Sequence, residues 1–323
     1  MQKERLAFID VAKSLAMIAV VIGHTISPKN IISEWLYLWH LPMFFFTAGL
    51  CFNINKYQFL SLLKRRIKQL ILPSIYFSIL ISICFLLLNI YSGEEWITSI
   101  CNLLSNYKYG LPGVMWFIPI LFISEILSFP IIRYIKDKII LITILVILCV
   151  IQYMFKGIKM PYDLNTVFVG MFFYLSGNLL RKNMLEPTFY IKNRNYLLIL
   201  FILTYIYIIF SDGSMDIHGN YYHDITVFVF SLFAVLGVLL ISNIRYISTS
   251  KILNYIGRNT LIILPAHLII QKILWTFIHP YFIEWGHFAE NVLYKFVYLF
   301  FACIFCYLSI EFINRKAKWM IGK

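Results

Sequence analysis

Long apolar runs, recurring from one end of the chain to the other, limit its fold more than any other feature. A bilayer-spanning helix needs roughly 20 mostly apolar residues. On that rule ten segments qualify: residues 7–27, 35–54, 70–91, 116–132, 139–155, 163–180, 195–210, 222–242, 252–275 and 292–313. Composition agrees. Of the 323 residues, 61% are hydrophobic and 13% are charged, against about 25% charged in a water-soluble domain. Mean hydropathy is +0.79. Such a chain cannot cover a soluble surface, and the expected fold is an all-α transmembrane bundle of about ten spans. The run after Lys3 and Arg5 has the outline of a signal peptide. It continues to about Ile26 without a small-x-small cleavage site, so it reads as a retained first helix.

A net charge of +13 raises the question of nucleic acid, and the placement of the charges answers it. With the N-terminus inside, the segments on the cytoplasmic side collect 21 of the 28 Lys and Arg residues, in clusters such as Lys64-Arg65-Arg66, Arg133/Lys136/Lys138 and Arg315/Lys316/Lys318. That is the positive-inside pattern. The partner it implies is the lipid bilayer, not nucleic acid, with both termini cytoplasmic and the chain multi-pass in the inner (plasma) membrane. Trp35, Tyr37, Trp39, Trp116, Trp275, Trp285 and Trp319 fall near span ends, as interface anchors do. The six cysteines, including the Cys303-x-x-Cys306 pair, lie mostly in or beside apolar runs and read as packing residues. There is no internal repeat and no long linker, so residues 1–323 are expected to form a single membrane domain.

Ionisable groups inside spans are costly and mark pathways or sites. The first span is richest in them. Asp10, Lys13, Met17, Val20 and His24 share one helical stripe, with Lys13 and His24 roughly 16 Å apart along it. Asp10 and Lys13 are i, i+3 neighbours that can pair. His40 opens the second span, His267 lies well along the ninth, and the topology puts both in the outer half with His24. Three histidines at one depth point to a site. Glu125 is the deepest acidic residue and a candidate partner for one of them. At the cytoplasmic side, Gly257-Arg258-Asn259-Thr260 at the inner end of the ninth span resembles an anion-binding helix start. Lys64, Arg65 and Arg66 there are accounted for by the positive-inside rule alone.

Four further histidines, His218, His223, His279 and His287, fall in outer loops. The first two lie near Asp212, Asp216 and Asp224, but their spacing is too irregular for a metal centre, and no metal is expected. The chain has no G-x-S-x-G elbow, H-E-x-x-H helix, P-loop or dinucleotide fingerprint.

Four stretches, in order along the chain, carry a resemblance. They are Ile9-Asp10-Val11-Ala12-Lys13 through Gly23-His24, then His40-Leu41-Pro42-Met43-Phe44-Phe45-Phe46-Thr47-Ala48-Gly49, then Trp116-Phe117-Ile118-Pro119-Ile120-Leu121-Phe122, and Tyr255-Ile256-Gly257-Arg258-Asn259-Thr260-Leu261 leading to His267. Together they resemble membrane acyltransferase family 3, with its basic residue, ten intervening residues and histidine. Lys13 replaces the commoner arginine, as in the branch resembling fucose 4-O-acetylases. Thr47-Ala48-Gly49 stands where serine-glycine is common. The resemblance implies transfer of an acyl group, commonly acetyl, to a hydroxyl of an extracytoplasmic carbohydrate or its lipid-linked precursor. Acetyl-CoA or another acyl-CoA is the implied donor. Its phosphates would rest near Lys13, Arg258 and Asp10 while the pantetheine arm reaches outward. His24 would act as general base or acyl carrier, with His40, Glu125 and His267 orienting it or stabilising the oxyanion. A glycan or lipid-precursor transporter is the alternative, although many of those show half-to-half symmetry that this sequence lacks. A non-catalytic scaffold for glycan assembly is a third reading, in which His24 is dispensable.

Overall fold

The computed structural model describes residues 6–25, 30–211, 215–278, 280 and 292–323. Lys3, Arg5, Asp212, His279, Trp285 and His287 lie outside them. The described chain is overwhelmingly helical. The first half runs through α1 (Ala7–Gly23), α2 (Ile31–Cys51), α3 (Phe59–Arg66), α4 (Leu72–Tyr91), α5 (Trp96–Tyr109), α6 (Phe117–Tyr134) and α7 (Lys138–Met154). The second half has α8 (Val167–Met184), α9 (Pro187–Lys192), α10 (Arg194–Ser211), α11 (Val227–Ser242), α12 (Arg245–Ser248), α13 (Lys251–Arg258), α14 (Thr260–Phe277) and α15 (Val292–Lys316). A two-stranded hairpin, β1 (Met215–Asp216) and β2 (Tyr221–Tyr222), joins α10 to α11 and pairs Met215 with Tyr222 and Asp216 with Tyr221.

A helix of 16 residues or more covers most of each expected stretch, but the boundaries differ in instructive ways. Five helical stretches among the described residues are long and apolar enough to cross a bilayer: Phe59–Tyr91, Gly113–Tyr134, Arg194–Ser211, Thr260–Phe277 and Val292–Lys316. The stretches over α1, α2, α7, α8 and α11 are shorter or more polar. The third begins at Phe59 rather than residue 70, because α3 runs into α4 through a π turn over Ile67–Ile71. Pro73 accounts for that turn: it has no N–H for the Gln69 carbonyl, and its ring would clash there in a regular helix. The ninth is not one helix from residue 252. It breaks at Asn259, whose side chain donates to the Tyr255 carbonyl at 2.8 Å and accepts from Asn314 at 2.9 Å. Residues 222–226 are strand and turn, and α5 forms where an outer loop was expected.

Side chains on the periphery are apolar and uncovered. Ile139, Ile142 and Val146 on α7, Ile199, Ile202 and Ile206 on α10, and Phe296, Phe300 and Leu308 on α15 are all exposed. A water-soluble protein does not present such belts, and with backbone polar groups satisfied within helices this surface suits lipid. The chain is a multi-pass membrane protein.

The centre is built on close backbone approaches. A Cβ on Gly49 would stand 1.9 Å from the Tyr174 carbonyl oxygen, and one on Gly177 would stand 2.1 Å from that of Phe46. The two glycines let α2 and α8 touch, as small residues do between membrane helices. Pro42, inside α2, leaves the Leu38 carbonyl without its helical donor. The Ser231 hydroxyl of α11 donates to it instead. Gly177→Leu is therefore expected to yield no folded monodisperse protein by size-exclusion chromatography in detergent, whereas exposed Ile202→Ala elutes as wild type. Normal elution of the Gly177 variant would contradict this packing.

Candidate active site

The end of α1 meets the middles of α2 and α14 near His24. Its backbone N–H still donates to Val20 at 3.2 Å, so the side chain leaves the last turn of α1. From α14, Gln271 donates to the His24 carbonyl at 3.4 Å, and the His267 ring lies 5.3 Å from the His24 ring, centroid to centroid. His40 on α2 is close enough for its charge to interact with that of His24. The Tyr37 ring stands edge-on to His40 at 4.9 Å and lies against Gly23. Of the three histidines, His40 and His267 are buried and His24 is partly accessible.

Hydrogen bonds fix two of the tautomers. The Nδ1 of His40 lies 2.7 Å from the Leu36 carbonyl, and that of His267 lies 3.1 Å from the Ile263 carbonyl. A carbonyl only accepts, so as neutral imidazoles both carry their proton on Nδ1 and present a bare Nε2. The His267 Nε2 is buried without a hydrogen-bond partner among the described residues. His40 and His267 thus offer acceptors to the centre, not donors.

The hairpin adds a histidine that sequence reasoning left among the outer loops. His218 stacks on Trp116 with centroids 4.9 Å apart, and its Nδ1 lies 3.5 Å from the Asp163 carboxylate. His218 and His24 are near enough for their charges to interact. Outside the spans, the Asp163 contact outweighs burial and raises the His218 pKa above its usual value, with Asp216 adding to the rise. His223 turns to Asp224 instead, at 3.3 Å. Trp116, expected at the lipid interface, is buried, as is Trp39.

Asn220 holds the hairpin in place. Its side chain donates to the carbonyls of Phe155 and Ile158 and accepts from buried Gln152 at 2.9 Å, and its backbone has a φ of 51°. Asn tolerates that left-handed conformation better than most residues. Asn220→Ala leaves buried polar groups unmatched, at about 1–3 kcal/mol each. The expected result is a clear drop in the thermal unfolding midpoint in detergent, and an unchanged midpoint would contradict it.

The opposite end of α1 carries the cations. Asp10 contacts Lys13 at 3.0 Å and Arg258 at 3.4 Å. Gly257 brings α13 against α1, since a Cβ there would stand 1.8 Å from the Asp10 carbonyl oxygen. Gly257 is thus a packing residue, and Arg258 ends α13 rather than opening the ninth span. The beginning of α1 and the end of α15 meet at this end, through Arg258 and the neighbouring Asn259–Asn314 bond. Glu125 also belongs here. It pairs with Arg66 through Nε at 3.0 Å and Nη2 at 2.9 Å, not with any of the histidines.

A cavity of about 280 Å³ opens beside these cations and extends toward the histidines, none of which lines it. Lys13, Arg66 and Cys51 line it at the cation end, and Met17, Leu41, Phe117 and Leu264 carry the wall onward. Leu41 adjoins His40, and Leu264 lies one turn before His267. Arg66 and Cys51 therefore have cavity positions that their sequence contexts, a basic run and an apolar one, concealed.

Fold and site together define a multi-pass membrane protein with a histidine centre at one end and a cation-lined cavity leading to it. Comparison with known families makes the class specific. The acyltransferase family 3 profile, described as an acyltransferase domain, matches residues 6–311, and the chain belongs to that family. It is a membrane acyltransferase. No curated protein and no solved structure matches the chain, and nothing in these comparisons singles out the fucose 4-O-acetylase branch.

Proposed function

We propose that the protein is an acyl-CoA-dependent O-acyltransferase that moves an acetyl group to a hydroxyl of a cell-envelope carbohydrate or its lipid-linked precursor. The observation that carries this reading is the cavity that runs from Lys13 and Arg66 past Met17 and Leu264 toward the histidine centre. Donor phosphates would sit at the two cations, held by Coulomb attraction and hydrogen bonds. The pantetheine arm would follow the apolar wall of Met17, Leu41 and Leu264, covering the roughly 16 Å between Lys13 and His24. His24, the accessible histidine, takes the proton of the acceptor hydroxyl as it attacks the thioester. Alternatively it carries the acetyl group first. In the inner membrane, with the cation end cytoplasmic, this arrangement draws on the cytoplasmic acyl-CoA pool and delivers to the outer face.

The test is donor binding to purified protein in nanodiscs. Lys13→Ala is expected to weaken acetyl-CoA binding about tenfold, a loss of about 1.4 kcal/mol. Binding of 3′-dephospho acetyl-CoA should also be weaker than that of the parent. Unchanged affinity in the variant would remove the phosphates from this end.

A further inference from the structure

The tautomers leave the three histidines of the centre without a hydrogen-bond donor of their own. As neutral rings His40 and His267 present only lone pairs at Nε2, and a base at His24 is also an acceptor. Yet when a hydroxyl attacks a thioester the carbonyl oxygen gains negative charge, and an N–H or O–H donor must be aimed at it. We propose that His218 is that donor, a second catalytic histidine facing His24 from the hairpin, with Asp163 as its positioning residue. This role rests on the acyltransferase reading above.

Three independent features of the structure support it. His218 is fixed on two sides, by the Trp116 ring at 4.9 Å and by the Asp163 carboxylate at 3.5 Å from Nδ1. Contact with Asp163 assigns the Nδ1 proton and leaves Nε2–H to donate when the ring is charged. The rest of the ring stays reachable, since 58% of the side chain is exposed. Second, Trp116 is itself seated against the site. It ends the turn Gly113–Trp116, in which Gly113 packs against Leu268, the neighbour of His267. Third, Asp163 has a φ of 56° and Tyr162 a φ of 58°, left-handed values that non-glycine residues rarely adopt. Such strain is retained where surrounding structure imposes it and gathers at functional sites.

The titratable groups near enough to act on the charge of His218 are Asp163, in contact with it, and Asp216, Lys159 and His24. Two carboxylates favour its imidazolium form, whereas His24 has histidines about it. Neighbouring groups with opposite preferences of this kind divide acid and base roles between them. The step balances. The acceptor O–H proton passes to His24 as the new C–O bond forms, and the oxyanion accepts a hydrogen bond from His218. Collapse breaks the C–S bond, and the departing thiolate takes the proton from His24. His218 keeps its own proton throughout.

The experiment follows acetyl-CoA hydrolysis, with water as acceptor, across pH in nanodiscs, alongside acetyl-CoA binding and thermal stability. His218→Gln should lower turnover at least about tenfold with binding and stability unchanged, and should abolish the alkaline limb of the profile. In wild type that limb is the loss of activity as pH rises through the raised His218 pKa. Asp163→Asn should move it to lower pH, a shift that loss of packing alone would not produce. A His218→Gln protein with wild-type turnover and limb, or an Asp163→Asn limb that stays in place, would overturn the role while leaving the acyltransferase reading standing. A wild-type protein that neither binds nor consumes acetyl-CoA would remove that reading, and this role with it.

Discussion

Replacing His24 with alanine is expected to cut acyl transfer by about 10²–10⁴-fold while the protein inserts, folds and binds donor as before. His24 lies just beyond the last turn of α1, against His267 and within range of His40 and His218. Of His24, His40 and His267 it is the one that is not buried. Its ring is less buried than that of His267, so truncation removes chemistry with less disturbance of the core. Release of free CoA thiol by purified wild type and variant, at matched amounts of folded protein, checks the effect. A variant within about twofold of wild type, against the loss general acid–base catalysis implies, would end the assignment.

Glu125→Leu is expected to have the second large effect, on folding rather than turnover. Glu125 is buried and receives two hydrogen bonds from Arg66. Removing Glu125 strands the Arg66 charge; breaking a fully buried pair costs about 3–5 kcal/mol, and 25% exposure of the Arg66 side chain puts this loss toward the lower end. Marginally stable proteins seldom tolerate such a loss, so the variant should express poorly and melt early in detergent. Replacing both partners, as Arg66→Met with Glu125→Leu, takes the stranded charge away and should restore much of the stability. The same double variant should bind acetyl-CoA weakly, because Arg66 lines the donor cavity. Thermal melts of the single and double variants give the comparison. Equal destabilisation in both would show that the pair is not the source of the loss.

Helical architecture was legible because lipid demands it. Apolar runs separated by basic clusters locate helices without any tertiary information, and the i, i+11 spacing of Lys13 and His24 put cation and histidine on one stripe. Gathering of His40 and His267 near His24 followed from depth alone. What escaped depends on pairings remote in sequence. Asp163 and His218 are joined only because Asn220 ties the hairpin to the turn after α7, and two-residue strands leave no periodic signal. Arg66 was hidden in a basic run that topology already explained. Glu125 looked like a histidine's partner because depth says nothing about which way a side chain points around its helix. The break at Asn259 could not be seen because a lone asparagine is tolerated within helices; its bond to Asn314 is what stabilises the end.

In the proposed mechanism the donor enters at Lys13 and Arg66 and reaches His24 through the bundle. A structure of the protein in nanodiscs with a non-hydrolysable acetyl-CoA analogue tests it most directly. Phosphate density is expected beside Lys13 and Arg66, the pantetheine arm along Met17 and Leu264, and the acetyl carbonyl within hydrogen-bonding reach of His24 and His218. Phosphates bound elsewhere, or an acetyl group that stops short of His24, would contradict it.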